Sequence, residues 1–330
     1  MRRLFRQIQQ LRRDSGFAVF QNSVVHDFYD TLGQGYSKNE NEVALVERMV
    51  NAAKGKSYGP VSLHGSMLHG SRSYVEFNHR DQPVTRELGD MAIIAIATSG
   101  GERLLQKITI VQNKKASSKS WGLDQEQLFM LKNFPPFSGN RGIFRGRRDL
   151  TFVDTSGCLG SYGLLAAPGE MLFASAQLVT EFSSAKKSVS LRDIGSFRVN
   201  VPSSNGTSMA FPWSHPRFHP KEWIFLMEEC LDVFGPSPGP FHGGSASGFL
   251  GNECFSRDLY DLIRSWTRLS VGEPTCVSDQ VINSTVDAFS NLLLRNAGLG
   301  KLAMFPPDEL FGNQEFDGQM GVVAVHLEVE

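Results

Sequence analysis

The 330-residue chain has few cysteines, and they follow no metal-binding spacing. Cys158, Cys230, Cys254 and Cys276 stand far apart, and none belongs to a CxxC pair. This spacing predicts neither a structural zinc site nor a dense disulfide framework. We therefore expect reduced thiols and a cytoplasmic protein.

The sequence also lacks long apolar runs and several well-known catalytic loops. No stretch approaches the roughly 20 apolar residues of a membrane span, and the basic N-terminal segment has no apolar secretion-signal core. There is no GxxxxGK[ST] loop, and Ala246 stands where a GxSxG motif would need serine. These absences argue against a membrane partner, a nucleotide-driven motor and a serine hydrolase of that type.

Charge is unevenly distributed, although the net charge is only −1. Residues 1–102 are nearly neutral, with 12 basic and 11 acidic side chains. Residues 103–148 carry 10 basic side chains against Asp124 and Glu126, and residues 149–330 carry 11 basic against 21 acidic. A concentrated basic segment predicts a polyanionic partner, with a solvated basic face as the alternative.

The first 13 residues predict an amphipathic helix. Leu4, Phe5, Ile8 and Leu11 recur at helical spacing, while five arginines occupy the other faces. Such a helix would dock on the protein or form a dimer, which makes a homo-oligomer one expectation. The alternative is a phosphate-contacting arm.

The segment RELGDMAIIAIATSGGERLLQKITIVQNKK, residues 86–115, predicts a β-hairpin. The apolar stretches 91–97 and 104–111 flank a Ser-Gly-Gly turn. Asp90 opens the first strand, and Gln112 and Lys114 close the second. Antiparallel pairing would therefore bring the three polar side chains together at one sheet end.

Other elements follow along the chain. After 17–37, with its turn-rich TLGQGYS, Ser37 or Asn39 should cap a helix through VALVERMVNAA. We expect a loop at 58–71, a strand at SYVEFN, the hairpin, a helix at 124–132, a loop at GNRGIFRGRR and a strand at DLTFVD. After residue 154 we expect a strand, or a strand and a short helix, at 159–178, a strand pair at 188–201 and a turn at NGTS, residues 205–208. Helices are predicted at HPKEWIFLMEECLDVFG, 256–269 and 278–295.

This order, with Asp90 opening one strand and Gln112-Asn113-Lys114 closing the next, resembles the PD-(D/E)xK nuclease superfamily. Here Gln112 stands where that motif usually has Asp or Glu. The resemblance covers roughly residues 38–154. It implies an α/β fold with a restriction-endonuclease-like core, a mixed sheet flanked by helices, and an α+β C-terminal extension.

The resemblance also implies a site that binds Mg²⁺ or Mn²⁺. Asp90, Gln112 and a helix-borne glutamate would be metal ligands, and Lys114 would act on the water or the phosphate. Glu42 is the first candidate for the helix glutamate and Glu47 its alternate. Further candidates near the site are Glu87, Glu76 and Gln127.

Basic side chains near this site are candidates for contact with a nucleic-acid backbone. Four lie in the glycine-bearing loop around Phe144, and two follow the hairpin. They are Lys115, Lys119, Arg141, Arg145, Arg147 and Arg148.

The sequence thus predicts a metal-dependent endonuclease, acting on double-stranded DNA rather than RNA, in restriction, repair or defence against foreign DNA. Residues 1–37 would be a lead-in, 38–154 the core, and 155–330 an acidic region for specificity, dimerisation or regulation. One alternative is an inactive nuclease-fold module that binds nucleic acid or assembles with a partner. Another is a regulatory protein whose basic segment docks on its own acidic half or on a partner protein.

Overall fold

The computed structural model describes residues 1–116, 118–154, 156–183, 186–196, 198–202, 208–212, 255–303 and 318–330. The helix predicted for HPKEWIFLMEECLDVFG and most of the NGTS turn lie outside these residues. Among the described helices, none combines the length and apolarity needed to cross a membrane.

Three helices open the chain: α1 (Arg2–Arg13), α2 (Ser15–Ser37) and α3 (Glu42–Ala53). The later described helices are α4 (Gln125–Asn133), α5 (Ala176–Ser183), α6 (Leu191–Ser196), α7 (Leu259–Trp266) and α8 (Ser284–Asn296). A single 3₁₀ turn spans Gly142–Phe144.

The described strands before α4 are β1 (Ser57–Tyr58), β2 (Val61–Leu68), β3 (Ser71–Arg72), β4 (Tyr74–His79), β5 (Gln82–Glu87), β6 (Met91–Ser99), β7 (Glu102–Ala116) and β8 (Ser120–Gly122). Those after it are β9 (Phe137–Arg141), β10 (Gly160–Ala166), β11 (Glu170–Ser175), β12 (Ser188–Ser190), β13 (Arg198–Pro202), β14 (Ser208–Pro212), β15 (Phe255–Ser256), β16 (Glu273–Val277), β17 (Gln280–Val281) and β18 (Gly318–Glu328).

One mixed sheet organises the described structure, with the order β1-β2-β18-β6-β7-β10-β11-β15. Strands β6 and β7 are antiparallel, whereas β18 runs parallel to β6 and β10 parallel to β7. Strand β16 pairs with the earlier part of β7, beside β10. The predicted mixed α/β architecture is confirmed.

Helices cover both faces of this sheet. Apolar side chains of α1, α2, α3 and α7 pack on one face. Those of α4, α5 and α8, together with the small sheet β5-β4-β9, pack on the other. Strand β6 lies between the two cores and is buried on both faces along Met91–Thr98. Its sequence is therefore a nearly continuous apolar run and does not alternate between apolar and polar residues.

Several local predictions are confirmed. The hairpin forms with Met91 opposite Val111, and Gly100 and Gly101 adopt the positive φ values that its turn requires. Helix α1 buries Leu4, Ile8 and Leu11 within the chain. Asp124 caps α4 through the backbone N–H groups of its first turn, which fixes the start of that helix.

Other predictions are wrong. Residues 61–68, expected as loop, form β2, and TLGQGYS belongs to the continuous helix α2. Asn41, not Ser37 or Asn39, caps α3. The SYVEFN strand, β4, forms but lies in the small sheet, with β9 taking up part of the expected GNRGIFRGRR loop. DLTFVD makes only a single bridge, between Leu150 and Phe137.

Strands from both sides of residue 154 share the main sheet. The C-terminal strand β18 lies between β2 and β6, and β10 extends the sheet next to β7. The boundary placed at 154/155 in the sequence therefore runs through one sheet.

The cysteines differ from the expectation of reduced thiols. Cys276 is a buried free thiol, whereas Cys158 is disulfide-bonded.

Candidate functional site

The β6–β7 pairing brings Asp90 to the residues that end β7. The Asp90 N–H donates to the Val111 carbonyl oxygen at 2.9 Å, and the Asp90 carbonyl accepts from the Gly321 N–H at 2.9 Å. Because β7 and β18 hold its backbone from both sides, Asp90 has a fixed position at the sheet end. Its side chain points to the face that carries Ala92 and Ile110.

Gly89 allows the chain to enter β6 close to β7. A Cβ atom at this position would lie 2.7 Å from Ile110 Cγ2 and 3.2 Å from the Val111 carbonyl oxygen. A larger residue would push Asp90 away from the strand that carries Gln112. Glycine in the ELGD sequence thus allows the start of β6 to lie close to β7.

The hydrogen-bond donors to the Asp90 carboxylate are neutral groups. Its Oδ2 accepts from Gln112 Nε2 at 2.6 Å and from the Asn113 backbone N–H at 2.7 Å. Gln112 Oε1 in turn accepts from Gln127 Nε2, which also donates to the Glu87 carbonyl oxygen at 3.1 Å. Gln127 therefore lies at the site, and Gln112 presents its NH₂ group rather than its carbonyl to Asp90.

Burial, and after it the neighbouring Glu87 carboxylate, raise the pKa of Asp90 to about 7. The Asn113 N–H and the positive charge of Lys114 oppose this increase, and Glu42 contributes to it more weakly. Lys114 is half-buried. The structure thus brings Asp90, Gln112, Lys114 and two glutamates into one electrostatic unit.

Glu42 reaches the end of β7 from the first turn of α3. Its Oε1 accepts from the Lys115 backbone N–H at 2.7 Å, and its side chain is half-buried. Glu47, the alternate, is exposed on the same helix. The structure therefore places Glu42, and not Glu47, next to the hairpin.

Lys115 ties the α2–α3 turn to β7. Its Nζ donates to Asn39 Oδ1 at 3.1 Å and to the Glu40 carbonyl oxygen at 2.7 Å, and it lies 5.3 Å from the centre of the Tyr36 ring. These contacts engage the ammonium group within the chain. Lys119 is exposed beyond the end of β7.

Glu87 ends β5 and faces Arg72, which sequence reasoning missed. Glu87 Oε2 lies 3.7 Å from Arg72 Nη1. Burial raises the pKa of Glu87, and the charges of Arg72 and Lys114 oppose this. Glu76 is exposed on β4, so the structure does not bring it to the hairpin end.

Tyr162 is the second residue that sequence reasoning missed. It lies on β10 directly opposite Gln112, is fully buried, and has a hydroxyl with no hydrogen-bond partner in the described part of the chain. Burial raises its pKa, and the Asp124 and Asp90 charges add to the effect. Nothing in GSYGLL indicates this role, because only the parallel register with β7 brings the ring to the site.

The arginine loop lies along the small sheet. Arg141 is exposed at the end of β9 opposite Tyr74, and Tyr74 also pairs with Glu87. Arg141 is therefore two strands from Glu87. Arg145 and Arg148 are exposed and Arg147 is half-buried.

The donor chemistry at this sheet end fits a hard divalent cation. Carboxylates from Asp90, Glu87 and Glu42, together with the Gln112 amide oxygen, are the oxygen ligands that Mg²⁺ and Mn²⁺ prefer, and the unpartnered Tyr162 hydroxyl adds a further oxygen. Among the described residues, no three His, Cys, Asp or Glu side chains are already arranged to hold a metal ion. For Gln112 to contribute its oxygen, its amide would have to turn.

Comparison with protein-family models, curated proteins and solved structures finds no match to this chain.

Proposed function

We propose that this protein is a divalent-metal-dependent nuclease that hydrolyses phosphodiester bonds, with double-stranded DNA as the preferred substrate. The observation that supports this most is the meeting of Asp90, Gln112 and Lys114 where β6 begins and β7 ends. The hairpin β6–β7 is also preceded by α3 and followed by α4 and β10, with β10 parallel to β7, although β18 separates β2 from β6. Restriction, repair and defence against foreign DNA are the roles in keeping with this chemistry.

Each residue has a task that its position suits. Asp90 and Glu42 supply carboxylate oxygens for Mg²⁺ or Mn²⁺, and Gln112 supplies a neutral oxygen after its amide turns. The bound cation would neutralise the phosphate and acidify the attacking water. Lys114, half-buried beside them, places a fixed positive charge where negative charge develops on the phosphate.

Substrate binding falls to the basic side chains outside the sheet end. Arg141, Arg145 and Arg148 are exposed along one loop region and suit contacts to the sugar-phosphate backbone. Such contacts position DNA without reading its sequence.

The test is incubation of the purified full chain with supercoiled DNA, linear DNA and RNA in Mg²⁺, Mn²⁺ or EDTA. Wild type should cleave DNA in either metal. Lys54→Ala, which removes an exposed lysine and is the control for Lys114→Ala, should do the same. Asp90→Ala and Lys114→Ala should lose about 100-fold or more of the rate. Cleavage in EDTA, or undiminished cleavage by both site variants, would overturn the proposal.

A second candidate is a non-catalytic module that binds nucleic acid or assembles with a partner. The Gln112 NH₂ group already donates to Asp90, and this closed, buried arrangement is what favours it. This module would bind DNA in a salt-sensitive manner without metal-dependent cleavage. Absence of cleavage together with binding that persists after Asp90→Ala would select it.

A further inference from the structure

Glu87 and Arg72 form a loose ion pair at the edge of the site. Their closest charged atoms, Oε2 and Nη1, are 3.7 Å apart, which is longer than a hydrogen bond. The Glu87 side chain is 17% exposed and that of Arg72 is 52% exposed. The Arg72 guanidinium also donates a hydrogen bond to the Tyr74 side chain, so it keeps this partner when it leaves Glu87.

Glu87 is better placed than Glu42 to act together with Asp90. Of the two glutamates, Glu87 exerts the larger electrostatic effect on Asp90. Glu42 already uses Oε1 to accept the Lys115 backbone N–H at 2.7 Å. Backbone contacts also fix Glu87, because its carbonyl accepts from Gln127 Nε2, the same amide that holds Gln112.

The buried Tyr162 hydroxyl is an independent sign that a ligand belongs beside Asp90. It is fully enclosed, lies opposite Gln112 and finds no hydrogen-bond partner among the described residues. Buried hydroxyls are nearly always satisfied by protein, water or ligand. A cation with its water molecules between Asp90 and Glu87 would bring an oxygen to this donor.

We propose that Glu87 adds a carboxylate to the divalent-metal site beside those of Asp90 and Glu42, which supplies the charge that Gln112 does not provide, and that Arg72 is its displaceable counter-ion. Without metal, Arg72 neutralises Glu87. When the cation engages Glu87, the guanidinium is released to the substrate phosphate. This assignment rests on the proposed nuclease function. It explains how a site with Gln-x-Lys in place of Asp/Glu-x-Lys obtains enough negative charge to bind a divalent cation.

The experiment measures Mn²⁺ binding to the full chain by electron paramagnetic resonance, without nucleic acid. Glu87→Gln should weaken Mn²⁺ binding by about tenfold or more, whereas the exposed control Glu47→Gln should leave it unchanged. Glu87→Asp keeps the carboxylate and should retain part of the affinity. Circular dichroism establishes that each variant is folded.

Arg72→Gln gives a readout that a structural role would not produce. Removing the guanidinium should tighten Mn²⁺ binding by a few-fold, because a repulsive charge and a competitor for Glu87 are both lost. The same variant should weaken DNA binding and slow cleavage. Opposite changes in the two affinities identify a counter-ion.

The outcomes separate this inference from the proposed function. DNA cleavage that depends on Asp90 and Lys114 but not on Glu87 would overturn the inference and keep the nuclease. Mn²⁺ binding that depends on Glu87 in a protein that cleaves neither DNA nor RNA would keep the metal site and overturn the nuclease. No Mn²⁺ binding by wild type, or equal binding by Glu87→Gln, would overturn the inference.

Discussion

Strand β7 carries two buried polar clusters that handle charge in opposite ways. Near its start, Arg103 binds Asp287 through two nitrogens, with 3.0 Å for each contact. Gln106, Thr275 and Asn291 donate to the same carboxylate. Near its end, Asp90 accepts from the Gln112 amide and the Asn113 backbone N–H, and neither of these donors is charged.

This difference is the one we expect between a cluster that serves the fold and a candidate functional site. Burial raises the pKa of Asp287 as well as that of Asp90, but only Asp287 has a hydrogen-bonded guanidinium to oppose it. An ion pair with its hydrogen bonds satisfied serves the fold. A buried acid without such a partner weakens the fold, and such groups are concentrated at functional sites.

Breaking the compensated cluster should have the largest effect. Arg103→Met leaves the Asp287 carboxylate buried without its cation, so the free energy of unfolding should fall by about 3–5 kcal/mol. Urea unfolding measures this loss. Adding Asp287→Leu should restore most of it, and a loss below about 1 kcal/mol would mean that the pair is not needed for the fold.

Asp90→Asn should have a pH-dependent effect of about half that size. Because the pKa of Asp90 is higher in the folded chain, about 7 against a usual 3.8, its ionisation opposes folding increasingly as pH rises between these values. The difference in unfolding free energy between the variant and wild type should therefore shift in favour of the variant by about 2 kcal/mol when the pH is raised from about 5 to about 8. A difference from wild type that is the same at both pH values would contradict the raised pKa.

Gln112→Glu turns the second cluster into a site with one more acid. The new carboxylate lies against Asp90 and should destabilise the metal-free chain, because like charges repel in a buried place. Mn²⁺ should bind about tenfold more tightly, equivalent to about 1.4 kcal/mol. Titration calorimetry measures the affinity. If the wild type shows no cleavage and Gln112→Glu gains metal affinity, the non-catalytic module is favoured.

The arginine loop should contribute least. Arg145→Gln and Arg148→Gln each remove one exposed charge and should lower the salt dependence of DNA binding by about one unit of slope. Fluorescence anisotropy over a range of salt concentrations measures this. Lys54→Gln is the matched control, and an equal effect from it would mean that the loop has no special role.

Sequence patterns predict the hairpin because its evidence is local. Two apolar runs flank Ser99-Gly100-Gly101, and the polar residues at their ends follow from antiparallel pairing alone. Placement of β18 between β2 and β6 depends on contacts between distant parts of the chain, and no local pattern encodes it. For the same reason the sequence does not indicate that Tyr162 and Arg72 lie at the site, because they reach it from other strands.

The missed elements also have a physical cause. Gly65 suggested a loop, but a Cβ there would lie 1.9 Å from the Val50 carbonyl oxygen, so glycine lets α3 pack closely on β2. Gly35 in TLGQGYS likewise packs against Leu45, with a Cβ that would lie 2.5 Å from its Cδ2. Glycine at such points serves packing between elements rather than a turn.

Because β18 lies late in the sequence, formation of the site depends on how much of the chain has been synthesised. Gly321 holds the carbonyl of Asp90, and β18 is the only described strand that joins β2 to β6. A nascent chain that has passed the hairpin but has not yet made residues 318–328 leaves both strand edges open and Asp90 held from one side only. A ribosome-bound fragment ending before β18 would therefore lack a formed site, and the site would assemble only after residues 318–328 have left the ribosome.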